Sequence, residues 1–313
     1  MAPRKIIIDT DPGQDDAFAI LFALGSPELE VVGVTTVGGN VPLALTSKNA
    51  LKVVELAGRP DVPVYAGCPA PTVRKLMTAE YVHGDTGLDG ADLPEPVTPL
   101  QAEHGVNFMV RAIMDAPEGD ITVCTLGPMT NLAVAMTLEP RIIPRIREVV
   151  LMGGGFFQGG NATPAAEFNI FVDPHAAHKV FASGAPVTMA GIDCTYSALM
   201  TPEWLDALRA TGSRAAIEAA NMADFFRQYG DHKFPTPARP IHDACVTGYL
   251  LKPEIYEQRQ CNVVVDISSP ETIGMTVVDW WHVTGRERNC NVLRRIEPQP
   301  FFDLMLERIS CLP

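Results

Sequence analysis

The sequence has few basic residues for its number of acidic ones. Across 313 residues, 24 Lys and Arg stand against 37 Asp and Glu, and the formal net charge is −13. Proteins that bind nucleic acids or anionic membranes place clusters of Lys and Arg against the phosphates. The acid excess therefore argues against nucleic-acid and membrane partners, and it leaves small molecules and metal ions as candidate ligands.

Cysteine pairs, long apolar runs and a secretory leader are also missing. The seven cysteines are scattered, without a C-x-x-C pair or histidines at zinc-finger spacing, which indicates reduced thiols. No apolar run approaches the ~20 residues that span a bilayer. The start MAPRKIIID contains only three consecutive apolar residues, too few for a signal peptide. We therefore expect a cytoplasmic protein without a membrane-spanning segment.

Linkers, low-complexity segments and repeats are absent as well, so the sequence predicts one domain over residues 1–313. Short apolar runs alternate with helical patterns as far as about residue 195. This alternation predicts an α/β fold with a mostly parallel central β-sheet flanked by helices, in which ligands bind at the carboxyl ends of the strands. The predicted strands are 6–8, 31–37, 62–66, 121–126, 149–152 and 187–192, and the predicted helices are 16–24, 42–57, 105–116, 131–138 and 173–183.

The last third of the chain contains further predicted elements. A helix is predicted over residues 202–230, with Thr201 as its N-cap, and another at 243–251. Two strands are predicted at 263–267 and 276–280, and a final helix at 301–309.

The most informative stretch is DTDPGQDD at residues 9–16, where the first predicted strand ends and the first helix begins. Asp9 and Asp11 point to the same side of an extended chain, and Asp15 and Asp16 open the helix. One such carboxylate alone would indicate only a helix N-cap. Four carboxylates in a low-dielectric cleft repel one another unless they share a proton or bind a cation. The pattern favours a hard divalent cation with oxygen ligands.

Several segments resemble those of one known family. DTDPGQDDA at residues 9–17 resembles the signature of the inosine-uridine-preferring nucleoside hydrolase family. The resemblance extends over about residues 5–250 and is weaker beyond. The other matching segments follow in the family's order: VGGN at 37–40, HG and GL within 83–88, LGPMTNLA at 126–133, MGG at 152–154, Asn161 with AEFN at 166–169, DP at 173–174 and HD at 242–243.

This resemblance implies a Rossmann-like sheet topology and hydrolysis of the N-glycosidic bond of ribonucleosides to ribose and free nucleobase. It implies Ca²⁺ as the cofactor, held by the carboxylates of Asp11, Asp16 and Asp243 and by the backbone carbonyl of Leu126. Such an all-oxygen shell is the one that calcium takes in proteins. The implied partner is a small ribonucleoside substrate, and the implied assembly is a homodimer or homotetramer.

The resemblance also assigns roles to individual residues. Asp11 is the expected general base that deprotonates a water at the metal, and His242 is the expected proton donor to the leaving base. His83 together with His242 favours the pyrimidine-preferring or broadly specific branch of the family. The remaining predicted substrate-binding residues are Asp15 and Asn169 at the 2′- and 3′-hydroxyls, Asn161 and Glu167 at the 5′-hydroxyl and the developing ring charge, and Asn40 and Met152 in the matching pocket segments.

Two alternative functions, and the role of one segment, stay open. Asp9 and Asp11 after a first strand also fit a Mg²⁺ phosphatase of the haloacid dehalogenase type, which leaves the later motifs unexplained. The other alternative is a non-catalytic nucleoside-binding protein. Residues 224–232 fall where the family has a mobile base-contacting helix; for Phe226, Tyr229 and His232, base contact and packing are equally good interpretations.

Overall fold

A computed structural model of the chain describes residues 2–228 and 238–313. The main sheet contains eight strands: β1 Arg4–Thr10, β2 Leu29–Thr36, β3 Val64–Ala66, β4 Ile121–Thr125, β5 Glu148–Met152, β6 Val187–Ala190, β9 Tyr256–Cys261 and β12 Cys290–Ile296. Two small two-stranded sheets pair β7 Leu199–Met200 with β8 Arg239–Pro240 and β10 Val263–Val265 with β11 Thr276–Val278.

The strand order of the main sheet is β3–β2–β1–β4–β5–β6–β12–β9. All neighbouring strands are parallel except β9, which lies antiparallel to β12 at one edge. The chain builds outwards from β1 to β3 on one side, and then returns to β4 and builds outwards on the other side. The order therefore reverses between β1 and β4, and the carboxyl ends of these two strands border the crevice where open α/β sheets bind ligands.

Helices cover both faces of the sheet. They are α1 Gln14–Leu24, α2 Leu43–Leu56, α3 Glu80–His83, α4 Gly105–Asp115, α5 Thr130–Leu138, α6 Phe168–Val172, α7 Pro174–Phe181, α8 Ile192–Thr195, α9 Pro202–Ala210, α10 Arg214–Gln228, α11 Ala244–Leu251 and α12 Pro298–Ser310, with short 3-10 helices at Pro140–Arg145 and Pro253–Ile255. Among the described residues, no helix is both long and apolar enough to cross a bilayer.

Two apolar cores result from the alternation of side chains along β1. Ile6 and Ile8 face a core that includes α1, α2, α10, α11 and α12, whereas Ile7 faces a second core that includes α4, α5 and α7. Every residue of α1 is buried. Helix α1 packs against α2, α10, α11 and α12, and its N-terminus is therefore held rigidly behind the crevice.

The predicted fold class is confirmed, and several details of the predicted elements are wrong. The helix predicted over 202–230 is divided into α9 and α10 at Gly212, whose φ of +77° belongs to the left-handed region that glycine tolerates. The strand predicted at 187–192 ends at Ala190, and Ile192 already begins α8. Strands β7, β8, β9 and β12 and the short helices α3 and α6 were not predicted at all. The side chain of Thr201 caps α9 as expected, by accepting from the backbone N–H of Trp204.

Candidate active site

The turn between β1 and α1 supplies the acidic residues at the centre of the site. Gly13 precedes α1 in an extended conformation, and its N–H donates to Asp16 Oδ2 at 3.0 Å. The Thr10 hydroxyl donates to Asp16 Oδ1. Carboxylates in the first turn of a helix are stabilised by its exposed N–H groups and its dipole. The local sequence thus fixes Asp16 at the helix start, pointing back toward the strand end.

A cluster of three buried carboxylates forms where two helices begin. Asp15 and Asp16 lie in the first turn of α1, and Asp243 immediately precedes α11, which packs against α1. One carboxylate oxygen from each of the three lies within 4.8 Å of the others. We call this set the acidic triad. The predicted ligand set contained Asp16 and Asp243 with Asp11, so Asp15 is the member that the structure adds.

Asp11 lies beside the acidic triad, clamped between two glycines. Its Oδ2 accepts from the backbone N–H of Asn40 at 2.7 Å. A Cβ atom on Gly39 would lie 1.9 Å from Oδ2, and one on Gly127 would lie 2.1 Å from Oδ1. Only glycine therefore fits at both positions. Asp11 Oδ1 is buried and has no hydrogen-bond partner among residues 2–228 and 238–313.

Burial and mutual repulsion strongly perturb the acids of the site. Burial raises the pKa of Asp15 to about 7, and the nearby charge of Asp16 adds to the rise. Burial, followed by the repulsion of neighbouring carboxylates, holds the pKa values of Asp11 and Asp243 well above the usual range. Burial also raises the pKa of Asp16, against hydrogen bonds that lower it. The raised pKa values mean that these carboxyls ionise less readily than free ones unless a cation compensates their charge.

The donor set fits a hard divalent cation. Three clustered carboxylates, the unsatisfied Asp11 Oδ1 and the backbone carbonyl of Leu126 provide only oxygen atoms. Leu126 follows β4, the strand next to β1, and its N–H donates to the Asp9 carbonyl at 2.7 Å. Its own carbonyl accepts from Asn169 Nδ2 at 2.7 Å, which leaves a second lone pair. Oxygen-only shells with several carboxylates are typical of Ca²⁺.

Asn40, Asn169 and Met152 lie near the strand ends around the acids. Asn40 Nδ2 donates to Asp16 Oδ2 at 3.1 Å and to the Asp11 carbonyl at 3.2 Å. Asn169 Nδ2 contacts the carbonyl of Met152 at 3.2 Å as well as that of Leu126. These residues meet at one strand-end crevice: Asn40 follows β2, Met152 ends β5 and Asn169 lies in α6.

Glu167 and Asn161 lie on the long loop after β5. The Glu167 carboxylate caps α6: Oε1 accepts from Asn169 N at 3.0 Å, and Oε2 accepts from Gly154 N at 2.9 Å. Burial raises the pKa of Glu167 to about 7. Asn161 is exposed, and its Oδ1 accepts from Phe168 N at 2.9 Å. Glu167 is thus an interior residue of the site, and Asn161 lies on its outer loop.

The two predicted histidines have different surroundings. His83 is buried, and its Nδ1 lies 2.6 Å from Gln14 Oε1. Burial, with a smaller contribution from His242, lowers the pKa of His83 to about 3. His242 is half-buried beside Asp243, with its Nδ1 2.8 Å from the Thr195 hydroxyl. His242 is close enough to His83 for its charge to lower the pKa of His83, so both rings lie in the same part of the site.

Some site residues were missed, and one was misplaced. Nothing in the sequence pattern pointed to Thr195, and Gln14 was visible only as the variable position of the aspartate motif. Asp9 was expected in the pocket, but its Oδ1 accepts from Thr35 Oγ1 and Asn131 Nδ2 instead. Tyr229, His232 and the side chain of Phe226, for which base contact and packing were equally good interpretations, lie outside the described residues.

Comparison with known proteins identifies the family. The chain matches the profile described as "Inosine-uridine preferring nucleoside hydrolase" over residues 6–303. The chain belongs to this family. The recognition from the motifs is therefore confirmed, and the protein is a nucleoside hydrolase, an enzyme that acts on the N-glycosidic bond of ribonucleosides.

Relatives of this nucleoside hydrolase differ in the substrates that their names state. The pyrimidine-specific ribonucleoside hydrolase RihA of Photobacterium profundum is 42% identical over 308 residues, which are 98% of this chain and 99% of the relative. The solved purine-preferring ribonucleoside hydrolase of Gardnerella vaginalis superposes with a TM-score of 0.91 at 32% identity and covers 98% of each chain. The plant nucleoside hydrolase PpNRh1 gives a TM-score of 0.89 at 31% identity, over 98% of this chain and 99% of that one.

The family assignment and the position of Asp9 overturn the phosphatase alternative. A nucleophilic aspartate must reach the substrate, whereas Asp9 is 1% exposed. Its Oδ1 accepts two hydrogen bonds from behind the site. Membership of an enzyme family likewise argues against a purely binding protein.

Proposed function

We propose that this nucleoside hydrolase is a Ca²⁺-dependent enzyme that prefers pyrimidine ribonucleosides, with Asp11 as general base and His242 as proton donor. The observation that carries the proposal is the buried, unsatisfied Asp11 Oδ1 beside the acidic triad. An oxygen acceptor is costly to bury without a partner. A cation and an attacking water would supply the missing partners.

The acids have a metal-binding role in this proposal. Asp11, Asp16 and Asp243, joined by Asp15 and the Leu126 carbonyl, offer the oxygen ligands. Calcium, when bound, would supply a positive charge that polarises a water and keeps the surrounding carboxyls ionised.

Asp11 takes the proton from the attacking water. Its carboxylate cannot rotate freely, because Asn40 N–H holds Oδ2 and the backbones of Gly39 and Gly127 enclose it. Oδ1 is therefore the atom that faces the water. A base held in one orientation contributes both proton transfer and positioning.

In this proposal the sugar is held by side chains from several elements. Asp15 and Asn169 bind the 2′- and 3′-hydroxyls, Glu167 and Asn161 bind the 5′-hydroxyl, and Asn40 and Met152 line the same crevice. The glycosidic bond breaks with positive charge developing on the ribose ring. Buried carboxylates in a water-poor cleft stabilise that charge more than they stabilise the neutral substrate.

His242 protonates the leaving base. The Thr195 hydroxyl beside its Nδ1 can either donate or accept, so the ring can carry its proton on Nε2 and be reprotonated after turnover. Pyrimidine preference is supported by the RihA relatives, which are more similar in sequence than the purine-preferring solved enzyme.

The proposed activity is tested with purified protein and a panel of substrates. Uridine, cytidine, inosine and p-nitrophenyl phosphate are incubated separately, and free base, ribose and phosphate are measured. We expect free base from the nucleosides, fastest from uridine or cytidine, and loss of turnover on chelation with recovery on addition of Ca²⁺. Phosphate release without free base would contradict the proposal, as would full activity after exhaustive chelation.

Two variants distinguish the role of Asp11 as general base from the effect of removing any one negative charge. Asp11→Asn should lower kcat by at least about a hundredfold, because the amide cannot accept the proton. The matched control is Asp115→Asn, which removes an exposed carboxylate at the last residue of α4. Its kcat should equal that of the unaltered enzyme. Similar turnover in Asp11→Asn and Asp115→Asn would show that Asp11 is not the base.

The expected homodimer or homotetramer and the cytoplasmic location remain predictions. Sedimentation equilibrium of the purified chain, with and without Ca²⁺, tests the assembly. A monomer under both conditions would contradict it.

A further inference from the structure

Gln14, the first residue of α1, connects the aspartate turn to the loop that carries His83. The side chain is 1% exposed. Its Nε2 donates to the carbonyl of His83 at 2.9 Å and to that of Asp89 at 3.3 Å. Carbonyl oxygens only accept hydrogen bonds, so the amide nitrogen must face them. The amide oxygen of Gln14 is therefore the atom that faces the imidazole ring.

This arrangement determines which nitrogen of His83 carries the proton. His83 Nδ1 lies 2.6 Å from Gln14 Oε1, and an amide oxygen can only accept. Burial makes the imidazole neutral near pH 7, so the ring has one N–H group. That N–H must be on Nδ1, and Nε2 consequently holds a lone pair. A Cβ atom on Gly13 would lie 2.5 Å from Nδ1, so the glycine allows the ring to approach the turn.

We infer that Gln14 is a positioning residue that fixes His83 as the Nδ1–H tautomer, so that His83 Nε2 accepts a hydrogen bond from an N–H group of the leaving nucleobase. The inference rests on the proposed function and extends it. His83 is then an acceptor that recognises the base, and it is not a second proton donor.

The neighbours of the two histidines explain this division of roles. Gln14 Oε1 only accepts, and it therefore holds His83 in one tautomer. The hydroxyl of Thr195 can donate or accept, and it allows His242 to carry its proton on either nitrogen. A proton donor has to lose and regain a proton in each cycle, whereas a recognition group works best with a fixed acceptor.

The leaving groups that can make this contact are nucleobases with an N–H group. Uracil in uridine offers N3–H, cytosine offers its amino group, and hypoxanthine offers N1–H. A p-nitrophenyl leaving group has no N–H to donate. The contact with His83 should therefore assist nucleosides of N–H-bearing bases and should not assist p-nitrophenyl riboside.

The tautomer is measured directly on resting enzyme labelled with ¹⁵N-histidine. Two-bond ¹H–¹⁵N spectra distinguish a protonated from an unprotonated ring nitrogen, and the signals are assigned by their loss in His83→Phe. We expect protonated Nδ1 and unprotonated Nε2 in the unaltered protein, and a mixture of tautomers in Gln14→Met. Protonated Nε2 in the unaltered protein would overturn the inference, whatever the variants do.

Asn49→Ala is the control for the position of the loop that carries His83. Asn49 Nδ2 donates to the carbonyls of Pro12 at 3.0 Å and Thr86 at 2.8 Å, and thus ties the same loop to the same turn. These two bonds reach backbone carbonyls and not the His83 ring. We expect an unchanged His83 tautomer in Asn49→Ala. A tautomer change equal to that in Gln14→Met would show that loop position, and not the Gln14 amide, selects the proton site.

Kinetics supply the second measurement. In Gln14→Met, kcat/KM for uridine should fall about tenfold, the usual consequence of one lost hydrogen bond to substrate. For p-nitrophenyl riboside the loss should stay below about twofold, since no hydrogen bond from the leaving group is removed. An equal loss on both substrates would contradict the inference. If the unaltered protein hydrolysed no nucleoside, the proposed function would fail, while the measured tautomer would still decide the assignment of Gln14.

Discussion

Asp9 lies directly behind the site and differs from the four aspartates in it. It pairs in the sheet with Thr35 on one side and Thr125 on the other. Its Oδ1 accepts from Thr35 at 2.6 Å and from Asn131 at 2.8 Å, whereas Oδ2 has no partner in the described part of the chain. Burial raises the pKa of Asp9 to about 7. A carboxyl with a raised pKa stabilises the folded protein at low pH, and this contribution is lost as the pH rises.

Asp9→Asn should therefore make the stability of the metal-free protein less dependent on pH. The amide keeps the acceptor for Thr35 and Asn131 and never ionises. Between pH 5 and 8 the unaltered protein should lose about 3 kcal/mol that the variant keeps, because its folded pKa exceeds the unfolded value of about 4. Urea unfolding at both pH values measures the difference, with Asp115→Asn as an exposed control. An unchanged pH dependence would show that Asp9 does not titrate in this range.

The residues of the site were accessible to sequence reasoning to different degrees. The aspartate motif located Asp11, Asp15 and Asp16, because a strand end and a helix start place neighbouring residues in one crevice. It did not predict that Asp15 joins Asp16 and Asp243 in one cluster, because that grouping depends on the path of the turn. The contact between Gln14 and His83 joins positions 69 residues apart, and no local pattern contains it.

At the scale of elements, the parallel core was predictable and one edge was not. Buried parallel strands are continuous apolar runs, and β1, β4 and β5 have that pattern. The edge strand β9, with the sequence YEQRQC, has four exposed residues between two buried ones. Edge strands carry polar side chains. Strand β12, which pairs with β9, has Asn291, Arg294 and Arg295 between its apolar residues. No apolar run marked either strand.

The turns after β2 and β4 contain the glycines Gly39 and Gly127, which leave room for the Asp11 carboxylate. Gly127→Ala should displace Asp11, because the new Cβ atom would lie 2.1 Å from Oδ1. We expect weaker Ca²⁺ binding by calorimetry and a loss of at least about tenfold in kcat/KM for uridine, the scale of a misplaced catalytic group.

Gly119→Ala is the matched control for this turn. Gly119 has φ +70°, and no atom lies within 4 Å of the position that a Cβ atom would take there, among the described residues. The substitution therefore introduces only backbone strain of about 1–2 kcal/mol. Its melting temperature should fall while its Ca²⁺ affinity stays the same. Equal Ca²⁺ affinities in Gly127→Ala and Gly119→Ala would show that the glycine clamp does not position Asp11.

At the scale of the whole molecule, part of the acid excess lies inside the protein. The net charge of −13 includes buried carboxyls that converge on one crevice: Asp11, Asp15, Asp16, Glu167 and Asp243. Their raised pKa values mean that the metal-free fold binds protons that the unfolded chain releases above about pH 4. Stability of the metal-free protein should thus decrease as the pH rises from about 4 through 7.

Calcium should reverse this trend, because it binds the ionised carboxylates and competes with protons. We expect the melting temperature of chelated protein to fall between pH 5 and 8, and Ca²⁺ to raise it more at pH 8 than at pH 5. At one fixed Ca²⁺ concentration, about 100 times the dissociation constant at pH 8, the gain at pH 8 is about 2.7 kcal/mol, and it is smaller at pH 5, where protons weaken binding. Differential scanning calorimetry measures both effects, with Mg²⁺ as the control, since the smaller ion demands a tighter octahedral shell. Equal stabilisation by Ca²⁺ at both pH values would mean that the buried acids do not exchange protons for the metal.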